Sequence, residues 1–164
     1  MFRPMRRIKQ SLPKDEIDKI LNRCTSGVLA VIGDNDCPYA VPLSYVYINN
    51  KIYFHCAKEG HKIDSIKKNS NISFCVIDKD DIVPEKYTTY FRSVIVFCKA
   101  KILEQEEDKR FAIEKIAEKY SPNDESGRLK EIDSQFSRLC LVELSIDHIT
   151  GKEAIELVKE REKN

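Results

Sequence analysis

The chain reads as a mainly β, α+β domain: a small antiparallel β-barrel with helices packed on its outside. Apolar runs of strand length, such as 28–32 and 94–98, recur along the sequence. The first of them are joined by short turn clusters, and strands and helices do not alternate in the regular βαβ order of a parallel sheet. At 164 residues the chain has the size of one domain with one sizeable core. Residues 1–164 are therefore taken as a single domain, with its core at about 12–155.

The elements follow in order. Ser11-Leu12-Pro13 with Lys14, Asp15 and Glu16 is a helix start, with proline near the first turn and early acids. Ile17, Ile20, Leu21 and Cys24 then recur at helical spacing, and the helix ends before Gly27. A strand over 27–32 meets the turn cluster Gly33-Asp34-Asn35-Asp36, and a second strand runs through 39–47. Asn49-Asn50 makes another tight turn into a third strand over 52–56. Pro42 cannot donate to a ladder, so the second strand is an edge, carries a bulge, or leaves backbone free to face a flat ligand. A short helix over 61–69 carries Ile63 and Ile66, and 72–77 is a fourth strand. Residues 78–90, charged and proline-containing, read as a surface loop, either a connector or a lid. A long strand over 90–103, an amphipathic helix over 106–120, a closing strand over 138–147 and a charged helix from about 152 complete a set of six strands.

Charge and composition exclude several function classes. The 28 basic and 27 acidic residues leave a net charge of +1, so no global field attracts nucleic acid or an anionic membrane. The apolar runs are far too short for a membrane span, and a soluble protein is expected. The basic start Met1-Phe2-Arg3-Pro4-Met5-Arg6-Arg7 leads into polar residues rather than the apolar core of a secretory signal. Six cysteines, at 24, 37, 56, 75, 98 and 140, form no CxxC pair and fit reduced thiols in a cytoplasmic protein.

The chemistry concentrates at Tyr53-Phe54-His55-Cys56-Ala57-Lys58-Glu59-Gly60-His61-Lys62, where an apolar strand runs into a basic, glycine-hinged helix start. Backbone amides, a glycine that permits close approach and cations in the first helical turn make a site for a phosphate monoester, or else a solvated loop. In the strand alternation His55 shares a face with Tyr53, opposite Phe54. Nothing beside Cys56 guarantees a lowered thiol pKa, so a contact role is expected for it.

Pro38-Tyr39-Ala40-Val41-Pro42-Leu43-Ser44-Tyr45, then Ile52-Tyr53-Phe54-His55-Cys56-Ala57 with Gly60-His61-Lys62, then Ser93-Val94-Ile95-Val96-Phe97-Cys98-Lys99-Ala100, and finally Ile149-Thr150-Gly151-Lys152 resemble, in order and spacing, the pyridoxamine 5′-phosphate oxidase-like flavoproteins. Within them the chain is most similar to the nitroimidazole-resistance subgroup, and the resemblance covers about residues 12–155. It implies a six-stranded FMN-binding split barrel acting as a homodimer, with each flavin in a cleft between subunits. Carried over residue by residue, His61 and Lys62 would hold the FMN phosphate, with Gly60 letting the backbone come close. Val41, Pro42, Leu43 and Ser44 would line the isoalloxazine ring, His55 and Cys56 would lie at the edge of the flavin cleft, and Ser93 would reach the cofactor from a neighbouring strand. Family members often carry arginine where His61 stands; histidine cannot fork onto two phosphate oxygens, which implies a weaker, pH-dependent grip.

The implied function is an FMN-dependent oxidoreductase, nitroreductase-like, that passes two electrons to a small electrophile such as a 5-nitroimidazole, with His55 as general acid. No GxGxxG is present, so NAD(P)H or another donor would bind only transiently. The alternatives are a flavin- or haem-binding redox sensor or carrier, with His55 or His148 as the haem ligand, or an interaction protein on an emptied site. True pyridoxamine 5′-phosphate oxidation fits less well, because the family's C-terminal segment with arginine, tryptophan and histidine has no match in a chain without tryptophan.

Overall fold

Helix α1 (Lys14–Arg23) enters from Pro13, whose extended conformation and missing N–H suit the position before a first turn. It buries Ile17, Ile20 and Leu21 on one face. Strand β1 (Ser26–Ile32) turns through Gly33 into β2 (Pro38–Ser44), and β3 (Val46–Ile48) turns through Asn49 and Asn50, both at positive φ, into β4 (Lys51–Ala57). After α2 (His61–Lys68) come β5 (Asn71–Val83) and β6 (Thr88–Ile102), then the helical pair α3 (Glu106–Tyr120) and α4 (Glu125–Gln135), then β7 (Leu139–Glu153) and α5 (Ile155–Arg161). The computed structural model describes residues 2–163.

All seven strands form one antiparallel sheet in the order β2-β1-β5-β6-β7-β4-β3. The expected second strand is two strands. The chain breaks at Tyr45, so β2 pairs with β1 at one edge while β3 pairs with β4 at the other. One residue therefore joins the two edges, which approach without pairing; this is the split of the barrel. Tyr45 is fixed on several sides. Its hydroxyl donates to the Leu21 carbonyl at 2.9 Å, its ring meets Phe74 edge-on at 5.1 Å, and its amide donates to the Tyr120 hydroxyl at 2.9 Å. Pro42 lies on edge strand β2, where the missing N–H leaves no ladder bond unmade.

The inner face of the sheet carries the main core: Leu29, Phe74, Val94, Val96, Phe54 and Val142, closed by α1 and by Ile63 and Ile66 of α2. A Cβ at Gly151 would sit 2.7 Å from Ile17 and 2.9 Å from Leu12, so this glycine lets α1 lie flush on β7. A second core covers the outer face of β3, β4 and β7, where Val46, Tyr53 and Leu141 meet Ala112, Ile113 and Ile116 of α3 and Ile132 of α4. Strand β4 is thus buried on both faces, Phe54 inward and Tyr53 outward, as the alternation predicts.

Three expectations need correction. Residues 78–90 are not a loop: β5 and β6 stay paired from Lys79 opposite Arg92 to Val83 opposite Thr88, and only 84–87 turn. Among the described residues no second layer covers this arm, where Ile82 is 75% and Tyr87 98% exposed, so it lacks the apolar alternation of a half-buried strand. The closing strand runs on to Glu153, and α5 begins at Ile155 rather than near 152. Its charged end resembles a helix in sequence because Glu153 is fully buried between two arginines. Helix α4 was not anticipated at all; only Leu129 and Ile132 mark its apolar side, although Asp124 caps it by accepting the Gly127 amide at 2.9 Å.

Candidate functional site

The junction between β4 and α2 builds the site. Gly60 has φ 127 and ψ 166, in the region glycine alone adopts readily, and an added Cβ would meet nothing within 4 Å. Its requirement is conformational, and the space beside it is open. The Gly60 carbonyl accepts the amides of Ile63 at 2.9 Å and Asp64 at 3.1 Å, which starts the helix. No side chain caps that start, so the first amides of α2, at His61 and Lys62, have no intrahelical acceptor and face outward with the positive end of the helix dipole.

The two basic side chains diverge. The His61 ring stacks on Tyr39 at 4.3 Å, accepts the Asp34 amide at 3.3 Å and lies 3.8 Å from the Asp34 carboxylate, which also binds Lys68 at 3.1 Å. These contacts pin α2 to the turn between β1 and β2. Lys62 lies on the other side, close enough to act electrostatically on His55 and Cys56.

His55 projects from the outer face of β4 into a cavity of about 550 Å³ roofed by α3 and α4. Partial desolvation beside α3 and α4, and then the Lys62 charge, hold its pKa below the ordinary value and favour the neutral ring, although the side chain stays open to solvent. Ser44, at the end of β2, lines the same cavity. Apolar walls come from Ile113, Ile116, Ala117 and Ile132, and polar ones from Tyr120, Arg128, Glu131 and Gln135. Sequence reasoning missed the cavity because it missed α4. The Asp124 cap with Gly127 three residues on was the available signal.

The other expected residues fall into place as follows. Val41 and Leu43 pack partly against the main core, whereas Pro42 and Ser44 face outward along the unpaired edge of β2. Cys56 lies directly opposite Cys140 on β7. Burial, then the neighbouring Cys140, push the Cys56 thiol up to about 11, which Lys62 only partly offsets, so the sulfur stays protonated and unreactive at neutral pH. Ser93 is not brought to this site. It lies on β6 opposite Ile77 and Lys152, in a separate groove with Arg3 and Met5. His148 also stands apart, stacked on Phe2 at 4.7 Å.

Among the described residues no helix is long and apolar enough to cross a membrane, and all six cysteines are free. The model of the family described as pyridoxamine 5′-phosphate oxidase matches residues 13–153. Comparison with curated proteins returns no match. Among solved structures, a candidate 5-nitroimidazole antibiotic resistance protein from Bacteroides thetaiotaomicron aligns with TM-score 0.75 at 23% identity, over 87% of this chain and 86% of that one. An FAD-binding protein from Mesorhizobium loti aligns with TM-score 0.66 at 23% identity, over 88% and 96% of the two chains. A flavocytochrome from Azotobacter vinelandii aligns with TM-score 0.75 at 19% identity, over 92% of this chain and 72% of that one.

Proposed function

Because the chain belongs to the pyridoxamine 5′-phosphate oxidase family, we propose that it binds FMN at the start of α2 and acts as an FMN-dependent oxidoreductase on a small electrophile such as a 5-nitroimidazole. One observation carries the reading: the open, uncapped helix start behind Gly60 places Lys62 beside the strand end that bears His55. An uncapped helix start with a glycine hinge and a flanking ammonium suits a phosphate monoester, so the residues present fit the cofactor. When bound, FMN supplies two-electron redox chemistry that no side chain of this chain provides.

The protein's part is to bind, orient and donate protons. Lys62 and the first amides of α2 take the phosphate, with His61 holding the helix in place from the far side. Pro42 and Ser44 offer an outward surface along β2 for a flat ring. His55 faces the cavity as a neutral N–H donor at pH 7, and its protonated fraction, able to act as a general acid, rises as the pH falls toward its lowered pKa.

A second copy of the chain completes the proposal. Ile77, Ile95 and Phe97 are exposed on the outer face of β5 and β6, with Ser93 between them, and that face suits a homodimer contact through which Ser93 reaches the partner's flavin. The electron donor, NADH or NADPH, would bind transiently over the flavin, and the six free cysteines suit a reducing, cytoplasmic setting. Arg161 is committed to Glu153 at 2.9 Å, so it is not free to grip a pyridoxamine phosphate, and of the two histidines weighed as haem ligands His148 is covered by Phe2.

The test is anaerobic. With FMN added, NADH or NADPH is expected to bleach the flavin band at about 450 nm and a 5-nitroimidazole to restore it; flavin that stays oxidised with both donors contradicts the enzyme reading. The reoxidation rate should rise as pH falls from about 8 to 6, and His55→Gln should slow it about a hundredfold and flatten the profile while leaving FMN affinity unchanged. An unaltered rate and profile in that variant would remove His55 from the chemistry.

A further inference from the structure

The cavity beside His55 is larger than a nitroimidazole requires. Its volume of about 550 Å³ lies in the range that encloses drug-sized ligands, whereas a single five-membered ring with its substituents would leave much of it to water. Its walls are mainly aliphatic, from Ile113, Ile116 and Ala117 of α3 and Ile132 of α4. With Ser44 assigned to the flavin ring, the His55 ring, which has no hydrogen-bond partner among the described residues, is the polar group left for a substrate oxygen.

The charges at the rim argue against an anion. Arg128 is the one guanidinium there, and it already donates to the carbonyls of Ser121 at 2.7 Å and Pro122 at 3.0 Å. Two carboxylates stand with it: Asp124, which caps α4, and Glu131. Arg128 faces two anions, and Lys62, the cation nearest His55, is assigned to the flavin phosphate, so no cation is left to hold an anionic substrate, while an uncharged ligand pays no desolvation penalty for a charge left without a counterion.

We propose that this cavity is the substrate site, and that it takes an uncharged, mainly apolar carbonyl or nitro compound, with room for two fused rings, whose oxygen accepts a hydrogen bond from His55. The assignment rests on the reading of His55 and the flavin site above and narrows its substrate class. Helix α4, the element without a strong sequence signal, thereby sets specificity.

The probe is 2-methyl-1,4-naphthoquinone, with 1,4-naphthoquinone-2-sulfonate as its anionic counterpart, titrated by calorimetry into the full chain with and without FMN. The neutral quinone is expected to bind at least about tenfold more tightly than the sulfonate. Ala117→Phe, which fills the cavity from α3 without touching the start of α2, should weaken quinone binding at least about tenfold and leave FMN affinity unchanged. Should that variant fold poorly, proton NMR of the wild-type protein decides instead, since the bound quinone must shift the ring protons of His55. Preference for the sulfonate, equal quinone affinity in a folded Ala117→Phe protein, or unshifted His55 protons would overturn the assignment. Quinone binding without FMN binding would uphold the cavity and defeat the cofactor reading; FMN binding without quinone binding would do the reverse.

Discussion

Replacing Arg92 by alanine is expected to cost about 3 kcal/mol of stability, the range for removing one partner of a buried ion pair. For a domain of this size that lowers Tm by about 6–12 °C. The reason is the fully buried Glu153, whose carboxylate accepts from Arg92 Nε at 3.0 Å on one oxygen and from Arg161 Nε at 2.9 Å on the other. Arg92 also reaches Asp78 at 3.5 Å, and Asp78 takes a two-pronged contact from Arg23 at 2.7 and 2.6 Å. Through these five residues α1, the bulge in β5, β6, the end of β7 and α5 are tied into one charged cluster, and Arg161 extends it to the Ser11 carbonyl at 3.4 Å. Truncating Arg92 leaves a buried carboxylate with one partner where it had two. Replacing Arg92 and Glu153 together by methionine should cost less than Arg92→Ala alone, because the fully buried Glu153 carboxylate is then gone and Asp78 keeps its two hydrogen bonds from Arg23. Thermal unfolding of wild type and the two variants checks this, and a double variant that loses as much stability as Arg92→Ala or more would refute the coupling.

The same cluster sets an acid response. Burial, the largest single influence, would raise the Asp78 pKa, but the Arg23 hydrogen bonds and charge, the Cys24 thiol and the Arg92 charge together outweigh it and hold the carboxyl below its ordinary value. Its contribution is therefore complete above that ordinary value and disappears as pH falls through the lower folded-state value.

Lys62→Ala is the variant with the largest expected effect on function. A hydrogen bond to a charged group contributes about 1.5–3 kcal/mol, so losing the ammonium at the start of α2 should weaken FMN binding by about 10- to 100-fold. Lys62→Arg, which keeps the charge, should recover part of that loss. Lys62 also presses the His55 pKa downward after burial does, so in the alanine variant the His55 titration seen by NMR should move up. That second readout separates loss of the charge from loss of the fold. FMN affinity unchanged in Lys62→Ala would remove the phosphate assignment.

What was legible in the chain, and what was not, follows from how each signal arises. Helix α1 and strands β1 and β6 bury one clear stripe or face, so their periodicity shows in sequence. The glycine hinge at Gly60 was legible because a strand, a glycine and a basic helix start succeed one another locally. The break at Tyr45 was not: Tyr39 to Tyr47 reads as one β-prone run, and the bend is imposed by Leu21, Phe74 and Tyr120, none of them near in sequence. The arm at 78–90 and the end of β7 were misread because charged residues suggest a loop or a helix, whereas the arm pairs its backbone across strands with side chains such as Asp80 and Asp81 exposed, and Glu153 is buried between two arginines. Helix α4 buries only Ile132, too little for a periodic stripe, and with it the roof over His55 stayed hidden. Proximity of Lys62 to His55, seven residues away across the glycine hinge, was implied by the family resemblance rather than visible in the spacing.

Binding of FMN by the purified chain tests the account most directly. Titrated with FMN and passed through a desalting column, the wild-type protein should retain about one flavin per chain, with its band near 450 nm shifted from that of the free cofactor, and Lys62→Ala should retain far less. Flavin that elutes free from a folded wild-type protein would contradict the claim that the start of α2 is a cofactor site.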